Sequence, residues 1–135
     1  MLGTGGATVV IAQRKARVAQ GLSEEFAVEV SFGQTDVCVK NQLERLINGT
    51  AERYGRFDIL INNAGGGSLP KPLEQSSDKD VRDSLQLNFW SCLWAIQAAF
   101  PHMKAQGHGR IVNFGSLNGV CTACLTTWLK RRCVP

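Results

Sequence analysis

Apolar residues in this chain fall into two kinds of run that take turns along it. Short β-branched blocks at residues 7–12, 28–32, 58–61 and 110–116 predict strands; in the second, Val28, Val30 and Phe32 alternate with Glu29 and Ser31. Between the blocks, apolar positions recur at helical spacing. Val18, Leu22 and Phe26 mark one helix over residues 14–26, and Leu43, Leu46, Ile47, Ala51 and Tyr54 mark a second that starts after Val39. A third carries Val81, Leu85, Phe89, Leu93 and Ile96 along one side, widened by Trp90 and Trp94. The punctuation agrees. Ser77 with Asp80 three residues on predicts an amino cap, Gly55 and Gly107 predict carboxyl caps, and Pro101 predicts a kink. Residues 33–36 and 65–77 read as turn and loop. Alternation of strand and helix predicts βαβ units and a parallel sheet.

The block Phe57 to Ile61 organises the rest. It reads as a fully buried strand that runs into Asn62, Asn63, Ala64 and three glycines at 65–67. Glycine there lets the backbone turn sharply and lets a ligand approach, and in open α/β sheets the carboxyl ends of strands are where ligands bind.

Composition adds bounds. A chain of 135 residues is sized for one domain, and 44% apolar with 19% charged residues fits an α/β protein able to bury a core. Of the net charge of +4, Lys130, Arg131 and Arg132 supply three, and no basic stripe interleaved with aromatics is present, so nucleic-acid binding is not expected. No apolar run approaches the ~20 residues of a membrane span, and the first residues lack a secretory leader pattern. A cytoplasmic setting with reduced thiols is the expectation. Cys121 and Cys124 have the spacing of half a zinc site, but no second half accompanies them, so no metal is expected.

Asn62-Asn63-Ala64-Gly65 after such a strand resembles a signature of the short-chain dehydrogenase/reductase family, and the resemblance extends from about residue 6 to residue 120. It implies an NAD(P)-dependent oxidoreductase acting on a small-molecule carbonyl or alcohol, on a partial Rossmann-like, doubly wound parallel sheet. Asp36-Val37 matches the pair that flanks the adenine ring in that family, and Asn63, Ala64 and Gly65 match residues against the adenine ribose. Arg14 stands just past the strand at 7–12, with Gln13 where NAD-preferring members carry an acid, so NADP is expected over NAD. Leu85-Gln86-Leu87-Asn88 matches the helix whose asparagine holds a relay water. Ser116, at the end of Ile111 to Ser116, matches the substrate-orienting serine.

Two parts of the pattern are missing. The family's general acid/base is a tyrosine followed four residues on by lysine, about a dozen residues past the serine. Here the single tyrosine is Tyr54, four residues before Asp58, and no tyrosine follows Ser116; Thr126 and Lys130 keep the spacing but lack the phenol. Gly3-Thr4-Gly5-Gly6 is followed by a strand, so it does not put a helix terminus against a pyrophosphate. The expectation is a family member lacking its first strand, its glycine-rich loop and everything after the fifth strand. Residues 1–120 would be the partial nucleotide-binding domain and 121–135 an atypical tail, frame-shifted or disordered. Such a piece would be inactive alone, or would serve as a non-catalytic interaction or residual dinucleotide-binding fragment. Its two strand pairs would keep open edges, a route to self-association.

Overall fold

The structure, a computed structural model, describes residues 6–14, 30–66 and 73–115. The helix expected past Arg14, the glycines before Gly6, Ser116 and the tail from 121 lie outside the described residues.

In chain order the described elements are β1 (Val9–Gln13), β2 (Val30–Gln34), α1 (Lys40–Tyr54) and β3 (Ile59–Asn62). A short 3-10 turn, Leu73–Gln75, precedes α2 (Asp78–Leu85), which runs through a π-helical turn, Gln86–Trp90, into α3 (Ser91–Gln106); β4 (Arg110–Asn113) closes the series. β1 pairs with β2 in parallel, Val9 opposite Val30 through Gln13 opposite Gln34. β3 pairs with β4 in parallel, Ile59 opposite Arg110 through Asn62 opposite Asn113. These are two separate two-stranded sheets among the described residues, the arrangement expected if no strand joins them.

The observed strands run past their last apolar residue, so Gln13, Gly33, Gln34 and Asn62 lie in ladders rather than turns. Backbone pairing explains this. Thr35 N–H donates to Gln13 C=O at 3.0 Å and Phe114 N–H to Asn62 C=O at 3.0 Å, and backbone groups seek such partners whatever side chain they carry.

Helix ends fall where the sequence puts them. Gly55 and Gly107 both cap in the left-handed region, at φ 70° and 78°. Ser77 and Asp80 form a reciprocal capping box, Ser77 N–H donating to Asp80 Oδ2 at 2.8 Å and Asp80 N–H to Ser77 Oγ at 3.3 Å. A cap of this kind contributes about 0.5–2 kcal/mol.

The core lies where α1 packs on α3 beneath β3. Leu43 and Ile47 of α1 meet Leu60, Ala95, Ala99 and Met103. Alanines four apart on α3 let the helices approach closely. Past the end of α3 the chain turns back close against it: a Cβ on Gly109 would lie 2.7 Å from Met103 Cβ.

Two expectations about burial need correction. The buried stripe of α2, the π turn and α3 is Ser84, Asn88, Ser91, Ala95, Ala99 and Met103, while Val81, Leu85, Phe89, Leu93 and Ile96 are only half-buried. The π turn inserts a residue, so a stripe counted at one fixed period across it lands on the wrong side. The strand at 59–62 is not buried on both faces either. Leu60 is buried, but Ile59 and Ile61 are each 42% exposed, because the described helices cover only the Leu60 side. No described helix is long and apolar enough to cross a membrane.

Candidate functional site

The turn after β2 is built from its own polar groups. Thr35 is buried and hydrogen-bonded back to β1. Asp36 N–H donates to Gln42 Oε1 at 2.7 Å, and Asp36 Oδ1 accepts Cys38 N–H at 2.9 Å. An aspartate that binds the amide two residues on locks a turn. Gln86 then reaches across from the π turn, its Nε2 donating to Cys38 C=O at 2.8 Å. Val37 packs against the core. The Asp36 carboxylate also meets the Cys38 thiol, and its remaining lone pairs can accept.

Arg14 follows β1 directly and is exposed. Its charge acts on the Cys38 thiol. Burial, then the Asp36 carboxylate, pushes that thiol above its usual value, and Arg14 opposes them. Next to Arg14, Gln13 Nε2 is buried with no hydrogen-bond partner among the described residues.

The turn after β3 is held differently. Asn62 Nδ2 donates to Asn113 Oδ1 at 2.8 Å across the β3–β4 ladder, so the bond that fixes register here comes from Asn62. Asn63, Ala64 and Gly65 follow, all exposed. Gly66 has φ +154°, a conformation in which a side chain would be strained. Asn88 grips this residue at both backbone groups: its Oδ1 accepts Gly66 N–H at 3.2 Å and its Nδ2 donates to Gly66 C=O at 2.7 Å.

The π turn makes that grip possible. Ser91 N–H bonds Gln86 C=O, five residues back, which defines the wider turn. Side chains serve the carbonyls around it: Asn88 Nδ2 donates to Ser84 C=O at 2.9 Å and Ser91 Oγ to Leu87 C=O. Asn88 is buried at 4% exposure, with both amide hydrogens engaged by the Gly66 and Ser84 carbonyls. Its side chain therefore has no free donor for a relay water. One short π segment thus fastens the turn after β2 through Gln86 and the turn after β3 through Asn88.

The opposite ends of the strands carry other groups. Tyr54 closes α1, and its hydroxyl lies 2.9 Å from Ser31 Oγ near the start of β2, so the single phenol stands at the far end from both turns. Asp58 precedes β3 and accepts from Arg56 Nε at 2.7 Å and Nη2 at 2.8 Å, with His108 Nε2 at 2.9 Å. The Arg56 guanidinium, helped by His108, holds the Asp58 carboxyl below the usual carboxylate range. A lowered value means that the fold favours the ionised form. The resulting stability is complete above the ordinary carboxylate range and is lost as pH falls through the lowered value. The group is largely solvated, so the effect is small and screened by salt. Asp58→Asn is expected to flatten the acid limb of stability below about pH 5, read as urea midpoints at low salt. Superimposable acid limbs for the two chains would count against it.

Of the residues singled out in the sequence, Asp36 and Val37 lie in one turn, with Arg14 directly after the paired strand β1; Asn63, Ala64 and Gly65 lie in the other, which Asn88 holds; Ser116 lies outside the described residues. Gln86 and the orphaned Gln13 amide were not singled out for binding. The only sequence signal for Gln86 is its place in Leu85-Gln86-Leu87-Asn88.

Comparison with known proteins identifies the family. The family model for short chain dehydrogenases matches residues 1–127, and the chain belongs to that family. Among relatives, L-fucose dehydrogenase of Oryctolagus cuniculus is 33% identical over 84% of this chain and 39% of its own length. A 1,6-dihydroxycyclohexa-2,4-diene-1-carboxylate dehydrogenase of Pseudomonas putida is 33% identical over 72% of this chain and 34% of its length. A solved 7α-hydroxysteroid dehydrogenase, complexed with NADH and 7-oxo glycochenodeoxycholic acid, superposes with a TM-score of 0.87 at 27% identity over 96% of this chain and 52% of that one. A metagenomic short-chain oxidoreductase in complex with NADP gives 0.87 at 26% identity, over 96% and 61%. The chain thus spans well under half the length of these two relatives.

Proposed function

We propose that this chain is the nucleotide-holding part of an NADP(H)-dependent short-chain oxidoreductase, and that alone it holds the cofactor without turning over a substrate. The observation that carries the reading is the π segment, which holds the Asp36 turn and the Gly66 turn, at the carboxyl ends of β2 and β3, from residues two apart. The Asp36 carboxylate would accept from the adenine amine beside Val37. Asn63, Ala64 and Gly65 would lie along the ribose, and Arg14 would pair with a 2′-phosphate. Asn88 serves by shaping the turn, and Ser116 would orient the substrate oxygen. The cofactor would supply the hydride. Names of the relatives span a sugar, a dihydrodiol and a steroid, which commits the substrate only to a carbonyl–alcohol pair.

Titration with NADPH and with NADH tests this. NADPH is expected to bind more tightly, and Arg14→Ala to weaken NADPH by about tenfold, with NADH little changed. Equal affinities for the two cofactors, unmoved by Arg14→Ala, would remove the assignment.

One further observation favours a second reading. Two separate parallel pairs leave β1 and β3 each with an edge unpaired among the described residues. Such edges recruit another strand, so the chain would serve as an interaction piece. Light scattering decides between them: a discrete, soluble dimer supports strand pairing, and a monomer at every concentration excludes it.

A further inference from the structure

We infer that Gln86 is a positioning residue for the adenine end of the proposed site: its side-chain amide, 2.8 Å from Cys38 C=O, holds the turn that carries the Asp36 carboxylate. The inference rests on the reading of that turn as nucleotide-binding, but the tie itself is a matter of geometry. Cys38 is fixed at both backbone groups. Its N–H points to Asp36 Oδ1 and its C=O receives Gln86, so losing Gln86 frees the carbonyl end of the turn. Asp36 is also held at its own N–H by Gln42, which anchors the other end of the turn to α1. Gln86 opens the π turn that Asn88 occupies two residues later, and π turns concentrate at functional places in helices. In consequence a shift of this one segment would move the adenine-side turn and the Gly66 turn together. The bond has a required polarity. A carbonyl only accepts, so position 86 must donate, over the length of a glutamine.

The polarity makes the inference testable on the full chain. Cys38 is half-buried and sits inside the turn, while Cys92 lies on α3, so alkylation of the two thiols followed by peptide mass spectrometry reads the turn against an internal reference. Gln86→Met keeps the shape and removes the donor; it is expected to speed alkylation of Cys38 about five- to tenfold relative to Cys92, and to speed hydrogen exchange of the Cys38 amide alike. Gln86→Glu, which accepts but does not donate when ionised, should behave like Gln86→Met. Gln86→Lys, which donates, should restore protection. A role in bulk packing would not sort the three variants by hydrogen-bond polarity. Unchanged Cys38 in Gln86→Met, equal acceleration at Cys38 and Cys92, or full protection in Gln86→Glu overturns the inference. In parallel, 2′,5′-ADP is expected to bind Gln86→Met about fivefold more weakly, with nicotinamide mononucleotide unaffected. If the parent chain binds no 2′,5′-ADP, the nucleotide reading fails while the thiol and exchange rates still decide the tie.

Discussion

Asn88→Ala is expected to lower the stability of this chain by roughly 2–4 kcal/mol, a large share of what a domain this size has to lose. The reason is the number of groups that one amide serves. Asn88, which is 4% exposed, accepts from Gly66 N–H and donates to the Gly66 and Ser84 carbonyls. Alanine leaves the buried Ser84 carbonyl without this partner, where an unmet polar group costs about 1–3 kcal/mol, and at the more exposed Gly66 each lost bond costs about 0.5–1.5 kcal/mol. Asn88→Asp separates the contributions. It keeps an acceptor for Gly66 N–H but offers only oxygen to the two carbonyls, so it should be no better than alanine near neutral pH. Urea unfolding followed by tryptophan fluorescence measures both, since Trp90 and Trp94, which stack on each other, follow Asn88 in the same run of helix. A loss below about 0.5 kcal/mol for both variants would mean that the Gly66 turn is not held by this residue.

The second large effect concerns chemistry. With NADPH present, the purified chain is expected to reduce ketones and aldehydes no faster than buffer does. A positioned general acid typically contributes about 10²–10⁴-fold, and here the one phenol is tied to Ser31 at the far end of β2. Tyr54→Phe should therefore alter stability slightly and leave the rate at background. Loss of reduced-nicotinamide absorbance across a panel of carbonyl compounds is the measurement. Turnover by the chain alone, abolished by Tyr54→Phe, would show that the phenol reaches the substrate after all.

Most of the architecture was legible because it rests on local rules. Apolar blocks gave four strands, Gly55 and Gly107 gave helix ends, and Ser77 with Asp80 gave the cap. Strand limits were less so, since Gln13, Gln34 and Asn62 pair by backbone alone. The π turn was not legible at all. Its signature is a set of polar side chains, Ser84, Asn88 and Ser91, on the buried side of a helix, and a fixed period hides them among larger apolar residues. For the site, Asp36, Asn63 and Asn88 could be read from short motifs, because particular side chains must stand at particular turns. Gln86 and Gln13 could not. Gln86 meets a carbonyl 48 residues away, and the Gln13 amide has no partner among the described residues; neither leaves a trace in spacing.

The central claim is that the turns after β2 and β3 form a single nucleotide-holding surface. Hydrogen exchange of the 135-residue chain with and without saturating NADPH addresses it most directly. Added protection confined to residues 35–38 and 63–66, appearing at both turns over the same ligand range, is the predicted result. No added protection at either turn with NADPH at millimolar concentration, or protection at one turn alone, would contradict it.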